Sequence, residues 1–128
     1  MIEPNDRCLI VEDNFVILMD LEDMVKGLGL QCVDLATNID QAKELLLQHR
    51  YRIAFLDLYL GNESCLPLAN ILKKQGVPFA ITTGYNVGDD LSSVLEGVPM
   101  ISKPYAFKTV SQVLAELLGR PASKPDVG

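Results

Sequence analysis

The stretch CLIVEDN, residues 8–14, changes within one residue from apolar side chains to two adjacent carboxylates. Its apolar half is short, as in a strand that is buried on both faces of a parallel sheet. Glu12 and Asp13 then follow at the point where this strand should end. Because neighbouring carboxylates repel each other, we expect a compensating positive charge close to them in the folded protein.

Apolar strands and helical segments alternate along the rest of the chain. Strands are predicted at 7–12, 32–36, 52–58, 77–83 and 98–102. Helices are predicted over 15–28, after a cap at Thr37 or Asn38, from Pro67 to Lys74, over 87–96 and from Phe107 onward. The signals are apolar residues spaced three and four apart, cap residues, and a proline at the start of a helix. Residues 61–64 are predicted as a loop. Five apolar strands separated by helices predict an α/β domain with a parallel sheet covered on both faces.

Composition limits the classes of function that the chain can have. Its 128 residues fit one domain, and a net charge of −6 at pH 7 without a basic stripe argues against direct DNA binding. No apolar run could span a bilayer, and the start MIEPNDR is unlike a secretory signal, so we expect a cytoplasmic protein without membrane contact. Three cysteines without CxxC spacing suit a reducing compartment and argue against a zinc site.

Polar side chains stand at the ends of four of the five predicted strands. Glu12 and Asp13 follow the first strand, Asp57 ends the third, Thr83 ends the fourth and Lys103 follows the fifth. Ligands of open parallel sheets bind beyond the carboxyl ends of the strands. We therefore expect three acids, one hydroxyl and one cation to meet at one edge of the sheet.

The chemistry of this set predicts a metal-dependent phosphoryl transfer. Each pair of carboxylates about 4 Å apart costs on the order of 4 kcal/mol at an effective dielectric constant near 20, and a divalent cation offsets that cost. Mg²⁺ prefers such oxygen ligands. Magnesium beside a hydroxyl and a lysine is typical of phosphoryl-transfer sites. Asp57 is the best nucleophile, because a carboxylate can accept a phosphoryl group covalently.

Four motifs together resemble the receiver domain of two-component response regulators. They are the acid pair at 12–13, FLDLYLG at 55–61, TTGY at 82–85 and SKPY at 102–105. The resemblance covers residues 6–119 and implies a flavodoxin-like (βα)5 fold, a doubly wound five-stranded parallel sheet in the order 2-1-3-4-5. We expect the receiver domain at residues 1–119, and a flexible tail at 120–128, where no apolar pattern is present.

The resemblance also implies a role for each site residue. Asp57 would be the phosphoacceptor, and Mg²⁺ would be held by Glu12, Asp13, Asp57 and the backbone carbonyl of Tyr59. Thr83 and Lys103 would bind the oxygens of the phosphoryl group. The peptide bond between this lysine and the following proline is cis in the family.

The segment before the lysine departs from the usual receiver pattern. Receivers often carry an aromatic switch residue three positions before the lysine, where this chain has Met100. PFAITTGY at 78–85 is similar to a Pro-Phe-x-Phe-Ala-Thr-Gly-Tyr-like signature of single-domain regulators, many of them alphaproteobacterial. We therefore expect Tyr85 to take part in the conformational switch.

The function implied is that of a stand-alone receiver domain, a phosphoacceptor and not an enzyme, although it takes part in its own Mg²⁺-dependent phosphorylation and dephosphorylation. A sensor histidine kinase or a histidine phosphotransfer protein would phosphorylate Asp57. The domain would then bind a downstream protein or pass the phosphoryl group on, as a monomer or as a weak dimer through helix 4, strand 5 and helix 5.

Two other functions remain open at this point. An aspartate-nucleophile phosphohydrolase would have a similar sheet, but it places its nucleophile after strand 1 in a DxD motif, where this chain has EDN. A pseudo-receiver would bind partners without phosphorylation, but such domains usually lack part of the acid set, which is complete here.

Overall fold

The computed structural model describes residues 2–84 and 95–119. The elements in these ranges are β1 (Arg7–Val11), α1 (Phe15–Gly27), β2 (Cys32–Ala36), α2 (Ile39–Gln48), β3 (Ile53–Asp57), β4 (Tyr59–Leu60), β5 (Glu63–Ser64), α3 (Leu66–Gln75), β6 (Phe79–Thr83), β7 (Met100–Ser102) and α4 (Phe107–Gly119). Tyr85, the tail at 120–128 and all but the last two residues of the helix predicted over 87–96 lie outside the described residues.

Five of the strands form a parallel sheet in the order β2-β1-β3-β6-β7. This confirms the predicted order 2-1-3-4-5, because β6 and β7 are the fourth and fifth predicted strands. The strand order changes direction at β1, which pairs with both β2 and β3. The carboxyl ends of the strands around this point form the edge at which doubly wound sheets bind ligands.

Side chains of the strands alternate between two apolar clusters, one on each face of the sheet. Leu9, Val11 and Leu56 belong to the cluster that contains the buried residues of α2 and α3. Ile10 and Phe55 belong to the cluster that contains the buried residues of α1 and α4. Since strand side chains repeat every two residues, a shift of one residue would exchange the two faces, and burial on both faces therefore fixes the register.

Helix ends follow the signals in the sequence. The Asn14 side chain caps α1, where its Oδ1 atom accepts hydrogen bonds from two backbone N–H groups of the first turn. Of the two predicted caps for α2, Thr37 and Asn38, the structure has Asn38. Pro67 lies in the first turn of α3, and Gly76 ends that helix with a φ of 72°. Within residues 2–84 and 95–119, no helix has both the length and the apolar composition needed to cross a membrane.

The prediction of a loop at 61–64 is wrong for its second half. Glu63–Ser64 forms strand β5, which pairs antiparallel with β4, so that the chain beyond Asp57 folds into a short hairpin. Gly61 has a φ of 64°, a left-handed conformation that this residue type adopts without strain, and it makes the turn. The hairpin holds the segment after Asp57 close to the edge of the sheet.

A polar cluster joins the first three strands near their amino ends. Arg7 donates two hydrogen bonds to the Asp34 carboxylate, at 3.2 and 3.0 Å. The buried Tyr51 donates its hydroxyl to Asp34 Oδ2 at 2.7 Å. Together these bonds connect β1, β2 and the segment just before β3.

Replacing Tyr51 with Phe should lower the free energy of unfolding by about 1.5 kcal/mol, because the ring stays in place while a hydrogen bond to a charged acceptor is lost. Urea unfolding followed by circular dichroism measures this change. The exposed Tyr59 provides the matched control, and Tyr59→Phe should change the stability by less than about 0.5 kcal/mol. Equal effects of the two substitutions would contradict the stabilising role of the cluster.

Candidate functional site

The carboxyl ends of the central strands open into a pocket of about 390 Å³. Its lining residues are Glu12, Asp13, Asn14, Ile17, Asp57, Tyr59, Gly61, Thr83, Gly84 and Lys103. The structure therefore brings together every side chain predicted for the metal and phosphoryl site. Met100, predicted as a switch position, lies apart from the pocket lining and packs partly buried against the cluster under α2 and α3.

Strand pairing explains why three of these side chains share one face. Backbone pairing continues one residue past β1 and β7, since the Glu12 N–H donates to Ala36 O at 3.0 Å and the Lys103 N–H donates to Thr83 O at 2.9 Å. The alternation of side chains therefore continues as well. It directs Glu12, Asp57 and Lys103 to the face covered by α1 and α4.

The three acids form a cluster with the composition of a magnesium site. One carboxylate oxygen from each of Glu12, Asp13 and Asp57 lies within 4.8 Å of the other two. Glu12 and Asp57 are buried, whereas Asp13 is exposed. Asp13 Oδ2 accepts a hydrogen bond from the Gly61 N–H at 2.9 Å, so the hairpin holds this carboxylate in place. Closely spaced oxygen donors, partly open to water, fit a small divalent cation.

The ammonium group of Lys103 lies between two of these acids. Its Nζ atom donates to Asp57 Oδ2 at 3.0 Å and forms an ion pair with Glu12 Oε1. Burial lowers the pKa of Lys103, but the contacts with the Glu12 and Asp57 carboxylates outweigh this effect and raise the pKa overall. The lysine therefore remains charged and compensates the two buried carboxylates.

Glu12 is the most deeply buried acid of the cluster, with 1% of its surface exposed. Burial raises the pKa of this carboxyl group, and the close contact with the Lys103 ammonium opposes the rise. Its Oε2 atom accepts a hydrogen bond from the Asn14 N–H at 3.1 Å. A carboxylate buried this far depends on its few polar partners, because little water reaches it.

Thr83 and Tyr59 complete the pocket from two sides. Thr83 ends β6 and is 4% exposed, while the Tyr59 ring is 45% exposed. Both line the pocket, and the roles of the Thr83 hydroxyl and the Tyr59 carbonyl stay predictions. The Lys103–Pro104 peptide bond is cis, as the family resemblance implies.

Cys65 also carries a group that can act as a nucleophile close to Asp57, but its thiol is not reactive. The side chain is fully buried at the start of α3. Burial raises the pKa of this thiol to about 12, and the charge of Asp57 acts in the same direction. Because the thiolate is the reactive form of cysteine, this thiol is inert near neutral pH.

Sequence reasoning missed three residues that support the site. Asn14 could have been found, because Asn is a preferred helix cap and here it follows a strand directly. The contact of Gly61 with Asp13 had no signal, since the hairpin that creates it was predicted as a loop. Tyr105, whose hydroxyl is buried beside the acids, was included in the SKPY motif without a role of its own.

Comparisons with known proteins agree with this geometry. The solution structure of SdrG from Sphingomonas melonis Fr1 is 30% identical and has a TM-score of 0.78, covering 91% of this chain and 99% of that one. The PhyR response regulator REC domain of Erythrobacter litoralis is 26% identical with a TM-score of 0.75, covering 93% and 96%. No family model matches the chain.

A curated relative supports the same class. The chain is 31% identical over 111 residues to the sensory transduction protein LytR of Staphylococcus saprophyticus. The aligned region covers 84% of this chain and 44% of that protein. The chain thus spans less than half the length of this relative. Fold, site and comparisons together show that the chain belongs to the response regulator receiver domains, which serve two-component signal transduction by phosphorylation.

Magnesium should stabilise the folded protein through the acid cluster, because ligands that bind only the native state raise its stability. At a concentration about ten times the dissociation constant we expect about 1.4 kcal/mol, measured as a rise in melting temperature. Asp13→Asn should raise the melting temperature without magnesium, because one repulsive charge is removed, and should reduce the rise that magnesium produces.

The control for this experiment is Asp23→Asn, which removes an exposed acid on α1. This variant should respond to magnesium as the wild type does. If both variants respond alike, Asp13 does not belong to the metal site.

Proposed function

We propose that Asp57 is the phosphoacceptor of this receiver domain and that Mg²⁺ is its cofactor. The observation that carries the proposal is the position of Asp57, which lies within the acid cluster and accepts a hydrogen bond from Lys103 at 3.0 Å. Glu12, Asp13, Asp57 and the backbone carbonyl of Tyr59 would hold the metal. When bound, Mg²⁺ would neutralise charge on the oxygens of the group being transferred.

The side chains of the pocket have separate roles in the transfer of the phosphoryl group. A carboxylate oxygen of Asp57 forms a bond to phosphorus, while the bond from phosphorus to the donor nitrogen or oxygen breaks and its electrons leave with the donor. Lys103 attracts the developing charge on the phosphoryl oxygens, and the Thr83 hydroxyl donates a hydrogen bond to one of them. These groups promote phosphorylation and its reversal by hydrolysis, so the domain takes part in its own reactions.

The phosphoryl donor must bring its reacting atom to Asp57, so it has to bind next to the pocket. Phe15 and Val16, in the first turn of α1, are 67% and 77% exposed, and Ile17 beside them lines the pocket. Such exposed apolar side chains at the opening of a polar pocket are typical of a protein-binding surface. We infer that a sensor histidine kinase or a histidine phosphotransfer protein binds there.

The remaining features of the signalling cycle are inferred from the receiver family. The receiver domain would span residues 1–119, in a protein of the cytoplasm. Tyr85 and Met100 act as switch positions. The phosphorylated domain binds a downstream protein or passes the phosphoryl group on, as a monomer or a weak dimer through helix 4, strand 5 and helix 5 of the predicted numbering.

Treatment with acetyl phosphate and Mg²⁺ should add one phosphoryl group to the wild-type protein, because the site needs only a reactive donor and the metal. Intact-protein mass spectrometry measures the gain. Asp57→Asn should gain none, whereas the exposed control Asp23→Asn should be labelled like the wild type. Labelling of the Asp57→Asn protein would exclude Asp57 as the acceptor. Continuous turnover of p-nitrophenyl phosphate would instead favour a phosphohydrolase.

Val16→Asp should slow phosphoryl transfer from a phosphorylated histidine phosphotransfer protein by about tenfold, because a charge placed in an apolar contact must be desolvated. Labelling by acetyl phosphate should not change, since the pocket is left intact. Leu47→Asp on α2, where the leucine is 86% exposed, is the matched control and should leave both rates unchanged. Equal transfer to the wild type and to Val16→Asp would place the donor surface elsewhere.

A further inference from the structure

Tyr105 has a buried hydroxyl group that the resting site does not use. It follows Lys103 by two residues, between β7 and α4, and its side chain packs against the cluster under α1 and α4. The hydroxyl oxygen is buried and has no hydrogen-bond partner among the described residues. It lies close enough to Thr82 and Glu12 to interact with both. Buried polar groups are normally paired, so an unpaired one suggests a partner in another state of the protein.

Glu12 provides the complementary acceptor. Its Oε1 atom is buried and accepts no hydrogen bond of suitable geometry from the described residues, although it meets the Lys103 ammonium as an ion pair. The other oxygen, Oε2, is already bonded to the Asn14 N–H. Among the described residues, one oxygen of Glu12 is therefore compensated by Lys103 alone, and the hydroxyl of Tyr105 lies close to the same side chain.

Phosphorylation would change what Lys103 is attracted to. In the resting site one ammonium serves both Glu12 and Asp57. An acyl phosphate on Asp57 removes the carboxylate charge from its present position and adds about two negative charges on phosphoryl oxygens beyond it. Lys103 would follow that charge, and the buried Oε1 atom of Glu12 would lose the ammonium that it contacts in the resting site, which leaves this oxygen in need of a hydrogen-bond donor.

We propose that Tyr105 is a positioning residue whose hydroxyl donates a hydrogen bond to Glu12 Oε1 when Lys103 turns toward the phosphoryl group on Asp57. The inference rests on the function proposed above. In the resting protein this hydroxyl has no hydrogen-bond partner among the residues that the structure describes, and in the phosphorylated protein it pairs with Glu12 Oε1. The tyrosine thereby favours the phosphorylated state without stabilising the resting one.

The test is Tyr105→Phe, which keeps the ring and removes only the hydroxyl. Beryllofluoride with Mg²⁺ serves as the probe, because it imitates a phosphoryl group on a carboxylate. Titration followed by amide NMR should show beryllofluoride affinity lowered by about tenfold, the usual effect of losing a hydrogen bond to a buried charge. The melting temperature of the resting protein should not fall.

Tyr51→Phe is the matched control, because that hydroxyl is already bonded in the resting protein, to Asp34 at the other end of the sheet. It should lower the resting melting temperature and leave beryllofluoride affinity unchanged. The proposal is overturned if Tyr105→Phe behaves in this way, or if it binds beryllofluoride as tightly as the wild type. A wild-type protein that binds no beryllofluoride would instead show that the assignment of Asp57 has failed.

A second measurement uses the intact side chain. The ¹³Cζ signal of Tyr105, assigned by its loss in Tyr105→Phe, should shift when beryllofluoride binds to the wild-type protein. In a Glu12→Gln protein, compared once its amide signals show saturation with beryllofluoride, the shift should be smaller, because a neutral amide oxygen is a weaker acceptor than a carboxylate. An identical shift in both proteins would show that Glu12 is not the partner.

Discussion

The ammonium group of Lys103 allows two acids to be buried at the carboxyl end of the sheet. Glu12 and Asp57 come from different strands, and both contact this cation. Two carboxylates without it would face the desolvation cost and their mutual repulsion together. Since backbone pairing with Thr83 fixes the start of the lysine side chain, the cation is positioned by the sheet itself. The same contacts leave the site sensitive to any new charge on Asp57.

The two ends of the sheet are stabilised in different ways. At the amino end, Asp34 receives hydrogen bonds from both Arg7 and Tyr51, so its acceptor atoms are paired within the resting fold. At the carboxyl end, charges are shared and the hydroxyl of Tyr105 has no partner among the described residues. A fully paired cluster resists change, whereas an incompletely paired one responds to a ligand. The fold thus combines a fixed end with a responsive one.

The strands and the positions of the site residues were predictable because both depend on strand periodicity, whereas the strand order was implied by the resemblance to receiver domains. Short apolar runs identify the five strands, and the polar residues at the ends of four of them, such as Asp57 and Lys103, identify the site. The β4–β5 hairpin escaped prediction because strands of two residues carry no periodic signal. The role of Tyr105 escaped because an aromatic residue next to a site has the same pattern as a core residue. The sequence could not decide which residue caps α2, because Thr37 and Asn38 are both residue types that cap helices.

The two-residue alternation of the strands also limits how this chain can change in evolution or by engineering. Glu12, Asp57 and Lys103 face the same side because each lies two residues beyond a member of the cluster under α1 and α4, and these members are Ile10, Phe55 and Ile101. Insertion of a single residue within β3 would therefore turn Asp57 away from the lysine, even if every apolar residue were retained. Insertions are tolerable in the connections outside the strands, so length variation in relatives of this chain should be found there.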